Sequence, residues 1–243
     1  MKYYEMHEIV YQRIQKDGQL SWDKSTSFDD MWLHGTNTSL KKHIMKIGLS
    51  LKNLRVLDLG TGTGTSALYC AKEGAKCLGI EVSKTAIDIA LKNAQTLGLE
   101  VEFIVGDILA LDLDRKFDLV IDSTVLHCIV GNKDRRSFYE TAKKHLSAAG
   151  YLFINTMVSH GDMSSRFPKE HFHFEDEILW SLGISEITER KTILGKSYFA
   201  HRTLLSEKKQ IEEFHQNGFE IVNIEIDSQS DVNCLVGLLK LKT

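Results

Sequence analysis

The chain has 243 residues, 42% hydrophobic and 26% charged, which suits one α/β unit with a sizeable core. A formal net charge of −3 gives no electrostatic reason to expect nucleic acid, and no apolar run approaches the ~20 residues that span a bilayer. Cys70, Cys77, Cys128 and Cys234 form no C-x-x-C pair, which argues against a zinc ribbon or a disulfide framework; with the polar stretch Met1 to Val10, this points to reduced thiols in the cytoplasm.

Residues 1–50 predict two helices, about Tyr4 to Lys16 and Leu40 to Ile47, around a polar stretch holding Trp22, Phe28, Trp32 and His34. Val56 to Leu59 then reads as a buried strand, followed by the turn Gly60-Thr61-Gly62-Thr63-Gly64 and helical spacing from Thr65 to Lys72. A second strand, Cys77 to Ile80, ends at Glu81, 21 residues after Gly60, where a carboxylate can accept hydrogen bonds from both hydroxyls of a ribose. In the helix Lys84 to Leu97 the residues Ile87, Ala90, Leu91, Ala94 and Leu97 share one face. Val101 to Val105 is a third strand closed by Gly106-Asp107-Ile108, and Phe117 to Asp122 is a fourth. A long insertion, Val158 to His201, carries the only proline, Pro168, and many aromatic side chains. A helix from Leu204 to Gln216 leads to a terminal antiparallel hairpin, Phe219 to Ile226 and Val232 to Lys240. Strands alternating with helices imply a mostly parallel sheet covered on both faces.

A glycine-rich turn with a carboxylate about 20 residues downstream also occurs in dinucleotide-binding proteins. Here, however, Thr65 stands where that pattern wants its third glycine, and Asp58 precedes the first glycine by two residues. An acid there faces a pyrophosphate badly but suits a cationic ammonium or sulfonium ligand. The stretch resembles motif I of the class I S-adenosylmethionine-dependent methyltransferases, and the resemblance runs in unbroken order from Leu54 to about Thr156, although Ala149 replaces the usual first glycine of a pair. It implies a Rossmann-like seven-stranded sheet in the order 3-2-1-4-5-7-6 with helices on both faces. It also implies a single domain, with 1–50 as a helical cap, 51–157 as the cofactor-binding core, 158–201 as a substrate cap and 202–243 as the closing helix and hairpin. Leu146 to Gly150 and the run Tyr151 to Ile154 stand where the resemblance implies a turn and a fifth strand. The cofactor would be S-adenosyl-L-methionine, held by Asp58, Gly60, Thr61, Gly62, Gly64, Glu81, Val82, Asp107, Ile108 and Asp122. Within that set Asp107 reads the adenine amino group and Ile108 packs on the ring, while Asp58 touches the ligand, braces the glycine loop, or does both.

Methyl transfer from a sulfonium is an in-line displacement that mainly requires positioning. Asp122 and His127 are the catalytic candidates beside the reactive methyl; His127 is either a general base or a packed histidine at a helix start. Cys128 is either a soft ligand for a metalloid acceptor or a small buried hydrophobe. Arg166, Arg190 and Arg202 are candidates to anchor a substrate carboxylate. His171 and His173 lack a third ligand nearby, so no metal is expected. Asp122-Ser123-Thr124-Val125 departs from the Asn/Asp-Pro-Pro-aromatic turn of enzymes that methylate amino groups of nucleobases or glutamine, and no Pro-Cys nucleophile occurs there. The expected acceptor is a small molecule. The alternatives are a noncatalytic cofactor-binding sensor or partner protein, and an NAD-dependent oxidoreductase, the latter disfavoured by Thr65 and the terminal hairpin.

Overall fold

Strand β1 (Arg55–Leu59) runs through the middle of the computed structural model, which describes residues 7–161, 163, 166–168, 170–183, 190–228 and 232–242. On one side it pairs in parallel with β2 (Lys76–Glu81), which pairs with β3 (Val101–Val105); on the other it pairs with β4 (Phe117–Ser123), followed by β5 (Leu146–Met157). The chain then closes the sheet with β10 (Phe219–Asp227) and β11 (Cys234–Leu241), where β11 runs antiparallel between β5 and β10. Counted within this sheet the order is 3-2-1-4-5-7-6, as the resemblance implied.

The parallel strands are buried on both faces because successive side chains go to opposite layers. Val56, Leu119 and Ile121 pack on one side with Leu40, Ala67 and Tyr69, whereas Leu57, Leu59 and Val120 pack on the other with Phe138, Tyr139 and Phe214. The first layer is covered by α3 (Gly35–Lys46) and α4 (Thr65–Lys72), the second by α6 (Asn132–His145) and α7 (Glu207–Gln216). Helix α5 (Lys84–Leu97) begins where the Ser83 side chain accepts the Ala86 N–H at 3.0 Å and ends at Gly98 in the left-handed conformation. The N-terminal helix α1 (His7–Lys16) docks on it through Tyr11, Ile14, Ala86 and Ile89. Glu8 strengthens that contact by accepting from Ser83 Oγ at 2.5 Å and from the Thr85 N–H at 3.3 Å, a negative charge set against a helix N-terminus.

Several local expectations change. The Tyr4 to Met6 part of the first helix lies outside the described residues. The second helix starts at Gly35, not Leu40, because His34 Nδ1 caps it by accepting the Thr36 N–H. A short helix α2 (Phe28–Trp32), capped by Ser27, was not anticipated, and the helix expected to start near His127 is a short 3-10 turn followed by α6, for which no bounds were given. Leu146 to Gly150 is no turn: β5 starts at Leu146 and absorbs the irregularity as a register shift against Phe117 and Leu119. The insertion builds an antiparallel sheet of its own from β6 (Phe172–Glu175), β7 (Ile178–Leu182), β8 (Arg190–Ile193) and β9 (Lys196–Thr203), in the order β6-β7-β9-β8. Among the described residues no helix is long and apolar enough to cross a membrane.

Candidate active site

The loop Gly60 to Gly64 leaves the C-terminal end of β1 and is tied sideways to β2, because the N–H groups of Gly60 and Thr61 both donate to the Ile80 carbonyl, at 2.8 and 2.9 Å. Gly60 and Gly62 sit at φ +71° and +55°, where a side chain would be strained. A Cβ on Gly60 would collide with the Val125 side chain, and one on Gly62 would come 2.7 Å from the Tyr11 hydroxyl. The loop thus passes directly against the wall of a cavity of about 330 Å3 at the C-terminal ends of the parallel strands. This is the crevice where open α/β sheets bind ligands.

Gly60, Thr61, Gly62, Glu81, Val82, Asp107, Ile108 and His127 all line this cavity. Glu81 is 6% exposed and held on both oxygens: Oε2 accepts the Gly62 N–H at 3.1 Å and Oε1 the Ser83 N–H at 3.0 Å. Burial raises its pKa while these backbone donors oppose the rise. Asp107 Oδ1 accepts the Leu109 N–H at 2.9 Å, which fixes the turn after β3 and keeps Ile108 at the cavity wall.

Asp58, Gly64 and Asp122 lie beneath the wall. Asp58 is fully buried and accepts the Thr61 hydroxyl at 2.7 Å, while its other oxygen has no partner among the described residues. Asp122 Oδ1 accepts the N–H groups of Val125 and Leu126 at 2.9 and 3.0 Å, capping the short 3-10 turn Leu126–Cys128. Burial pushes both carboxyls up to about 7. A second brace on the turn comes from Arg135, whose Nη1 donates to the Leu126 carbonyl at 2.7 Å.

That turn carries His127, 1% exposed, with burial first and the Arg202 charge second holding its pKa well below the ordinary histidine range. Its Nδ1 accepts the Met157 N–H at 3.2 Å, and Arg202 Nη1 stands 3.3 Å from Nε2. Cys128 also lines the cavity, its thiol pushed up by burial. Of the three candidate arginines Arg202 alone reaches the cavity; Arg166 is exposed with Nη2 2.7 Å from His160 Nε2, and Arg190 is exposed on β8. The aromatic side chains of the insertion mostly pack among themselves, as Phe167 does with Phe172.

The N-terminal segment, expected as a cap, supplies further lining residues, of which His7, Ser21 and Asp23 were not singled out from the sequence. His7, Tyr11, Ser21, Trp22, Asp23 and His34 form the outer wall, with Trp22 edge-on to Tyr11 and His7 at centroid distances of 5.3 and 5.4 Å. Only the aromatic content of that stretch signalled the contact. Among the described residues no group of three His, Cys, Asp or Glu side chains is arranged to hold a metal ion.

A parallel sheet with its glycine loop after the first strand, a carboxylate closing the second and an antiparallel hairpin at the end is the architecture of the class I, S-adenosylmethionine-dependent methyltransferases. A family model described as a methyltransferase domain matches residues 50–223, and the chain belongs to that family. A ubiquinone biosynthesis O-methyltransferase of Pelagibacter ubique is 27% identical over 165 residues, covering 63% of this chain and 67% of the relative. A release factor glutamine methyltransferase of Flavobacterium psychrophilum is 40% identical over 85 residues, or 34% of this chain and 30% of the relative. Among solved structures, 1,6-didemethyltoxoflavin-N1-methyltransferase of Burkholderia thailandensis superposes with a TM-score of 0.65 at 16% identity, covering 97% of this chain and 87% of that one. An S-adenosylmethionine-dependent methyltransferase of Clostridium acetobutylicum gives 0.64 at 14% identity, covering 96% and 100%. These two speak to the fold alone.

Proposed function

We propose that this chain transfers the methyl group of S-adenosylmethionine to a small-molecule acceptor in the cytoplasm. The observation that carries the choice of acceptor is the outer wall: Tyr11, Trp22 and His34 close over the strand ends and leave a cavity of about 330 Å3, at the small end of ligand pockets. A protein or nucleic-acid substrate would need that wall open, and the net charge of −3 offers no attraction to a polyanion.

The residues fit the cofactor. Glu81, its carboxylate oriented by two backbone N–H groups, has lone pairs left to accept from ribose hydroxyls. The side-chain-free loop at Gly60 and Gly62 lets the backbone lie against the ligand, with Thr61, Val82, Asp107 and Ile108 completing the nucleoside wall. Asp58 and Asp122, each with one unpartnered oxygen among the described residues, are placed to supply negative potential under the cationic part of the ligand, whose charge would in turn favour their ionised forms. When bound, the cofactor supplies an electrophilic methyl carbon on a sulfonium. The protein's part is to hold the acceptor in line and exclude water. His127 is no general base in this reading. Its Nδ1 is occupied by a backbone donor, so the neutral ring carries its hydrogen on Nε2 and donates there. Asp122 acts as a positioning residue, through the turn that it caps.

The test is a screen of small acceptors with methyl-labelled S-adenosylmethionine. Label is expected in a low-molecular-mass product; label confined to protein or nucleic acid in the same mixtures would overturn the choice of acceptor.

A further inference from the structure

We propose that Arg202, together with the Nε2–H of His127, binds an oxyanion of the methyl acceptor, of the size and charge of a carboxylate, so that the substrate is an organic acid anchored at a point remote from the atom methylated. This rests on the methyltransferase reading above and names its substrate class.

The geometry begins with a conflict between donors. A neutral imidazole has one lone pair, and the Met157 N–H takes it at Nδ1. The hydrogen on Nε2 then faces Arg202 Nη1, 3.3 Å away, a group that can only donate. One acceptor that bridges the two nitrogens from the cavity side would satisfy both donors. The guanidinium is short of acceptors elsewhere too: its other contact is the Met157 sulfur at 3.1 Å, and its buried Nε has no hydrogen-bond partner among the described residues.

Arg135 shows what the same fold does with an arginine kept for structure. That side chain is buried and bonded through Nε and Nη2 to both oxygens of Glu213, at 2.7 Å each, and through Nη2 to Gln210. Arg202 has no carboxylate within ion-pair distance among the described residues, although it lines the cavity. The groups that feel it are His7 on α1, His127 and Cys128 on the turn, and His201 beside it on β9. All three histidines are held neutral, chiefly by burial and then by the charge of Arg202. One uncompensated positive charge with neutral neighbours matches a single negative charge, and the planar fork of a guanidinium matches a carboxylate or a phosphonate through parallel hydrogen bonds.

The position separates this anion from the cofactor. Arg202 belongs to β9 of the second sheet and meets the turn after β4, whereas the glycine loop follows β1. Between the two, Tyr11, Trp22, Val125, Ile129 and Met157 offer aromatic and apolar surface for the body of the acid. A guanidinium draws charge from the carboxylate that it holds and fixes it on the second sheet, away from the glycine loop, so in this proposal the carboxylate is the anchor and another atom of the molecule takes the methyl.

The experiment uses the full chain loaded with S-adenosylhomocysteine and titrated by ligand-observed NMR with benzoate, its neutral isostere benzamide, and phenylphosphonate. Benzoate is expected to bind about tenfold or more tightly than benzamide, Arg202→Met to abolish that preference, and Arg202→Lys to retain part of it. Phenylphosphonate identifies which oxyanion the site prefers, with benzoate expected to be tighter. Equal binding of benzoate and benzamide, no detectable benzoate binding, or an unchanged preference in Arg202→Met would overturn the proposal. So would a loss of S-adenosylhomocysteine affinity in Arg202→Met, which would give the guanidinium to the cofactor's own carboxylate. Circular dichroism checks that each variant folds, and if Arg202→Met does not, Arg202→Gln takes its place. A separate titration of the unloaded protein with S-adenosylhomocysteine tests the methyltransferase reading, whose failure is thereby distinct from failure of the acid site.

Discussion

Glu81 and Asp58 show how two buried carboxylates divide the work. Glu81 reaches the cavity, and its two backbone donors fix which lone pairs face a ligand. Truncating it to alanine removes those acceptors without cutting into the apolar core. Glu81→Ala should weaken S-adenosylhomocysteine binding by about tenfold or more in calorimetry, with secondary structure unchanged; an unchanged affinity would take the ribose contact away from this residue. Asp58 lies below the loop and is pushed up to about 7 by burial, so in the folded chain it keeps its proton over a range where the unfolded chain has released it. The folded state then binds more protons, and this group's contribution makes stability fall as pH rises from about 4 to about 7. Asp58→Asn should therefore lose less stability than the parent between about pH 5 and about pH 8, by roughly 2 to 4 kcal/mol in urea unfolding. Parallel pH dependences in parent and variant would show that Asp58 is ionised throughout.

Among the elements, α6 and the turn before it depend on a buried polar bridge. Arg135 links α6 to Glu213 and Gln210 on α7 and also bonds the Leu126 carbonyl of the turn that presents His127. Arg135→Met leaves Glu213 facing Tyr139 and Gln210 with no counter-charge, and should cost about 3 to 5 kcal/mol in chemical denaturation. A loss below about 1 kcal/mol would mean that solvent replaces the guanidinium. The same bridge explains why the extent of α6 was hard to foresee. Its sequence, Asn132 to His145, is dominated by charged residues with a narrow apolar stripe of Phe138, Tyr139 and Ala142, and one of its most buried side chains is an arginine. Periodicity sees apolar side chains and misses a core position filled by a paired charge. The parallel strands were legible because runs such as Val56 to Leu59 and Phe117 to Asp122 are apolar on both faces, with turn residues at their ends. The second sheet was not, because its strands are largely half-buried, with polar and aromatic residues mixed along them.

In the whole molecule, the strand-end residues of the proposed cofactor site were legible in the sequence, whereas the rest of the cavity was legible only as scattered candidates such as His127 and Arg202. Gly60, Gly62, Glu81 and Asp107 sit at strand ends at fixed distances along the chain, and the parallel pairing of neighbouring strands brings those ends together. Trp22, His34, His127 and Arg202 meet only through tertiary packing of the N-terminal segment and the second sheet against the core, which no local pattern encodes. Both the N-terminal segment and the insertion 158–201 were expected as caps; the N-terminal segment lines the cavity, whereas the nearest lining residues around the insertion are Met157 and Arg202, which flank it. Calorimetric titration of the unmodified chain with S-adenosylhomocysteine decides whether this cavity is an S-adenosylmethionine site. One molecule should bind per chain, with NAD giving no heat under the same conditions, and at about 100-fold excess over Kd the ligand should raise stability by about 2.7 kcal/mol. Absence of S-adenosylhomocysteine binding, or binding of NAD in its place, would contradict that assignment.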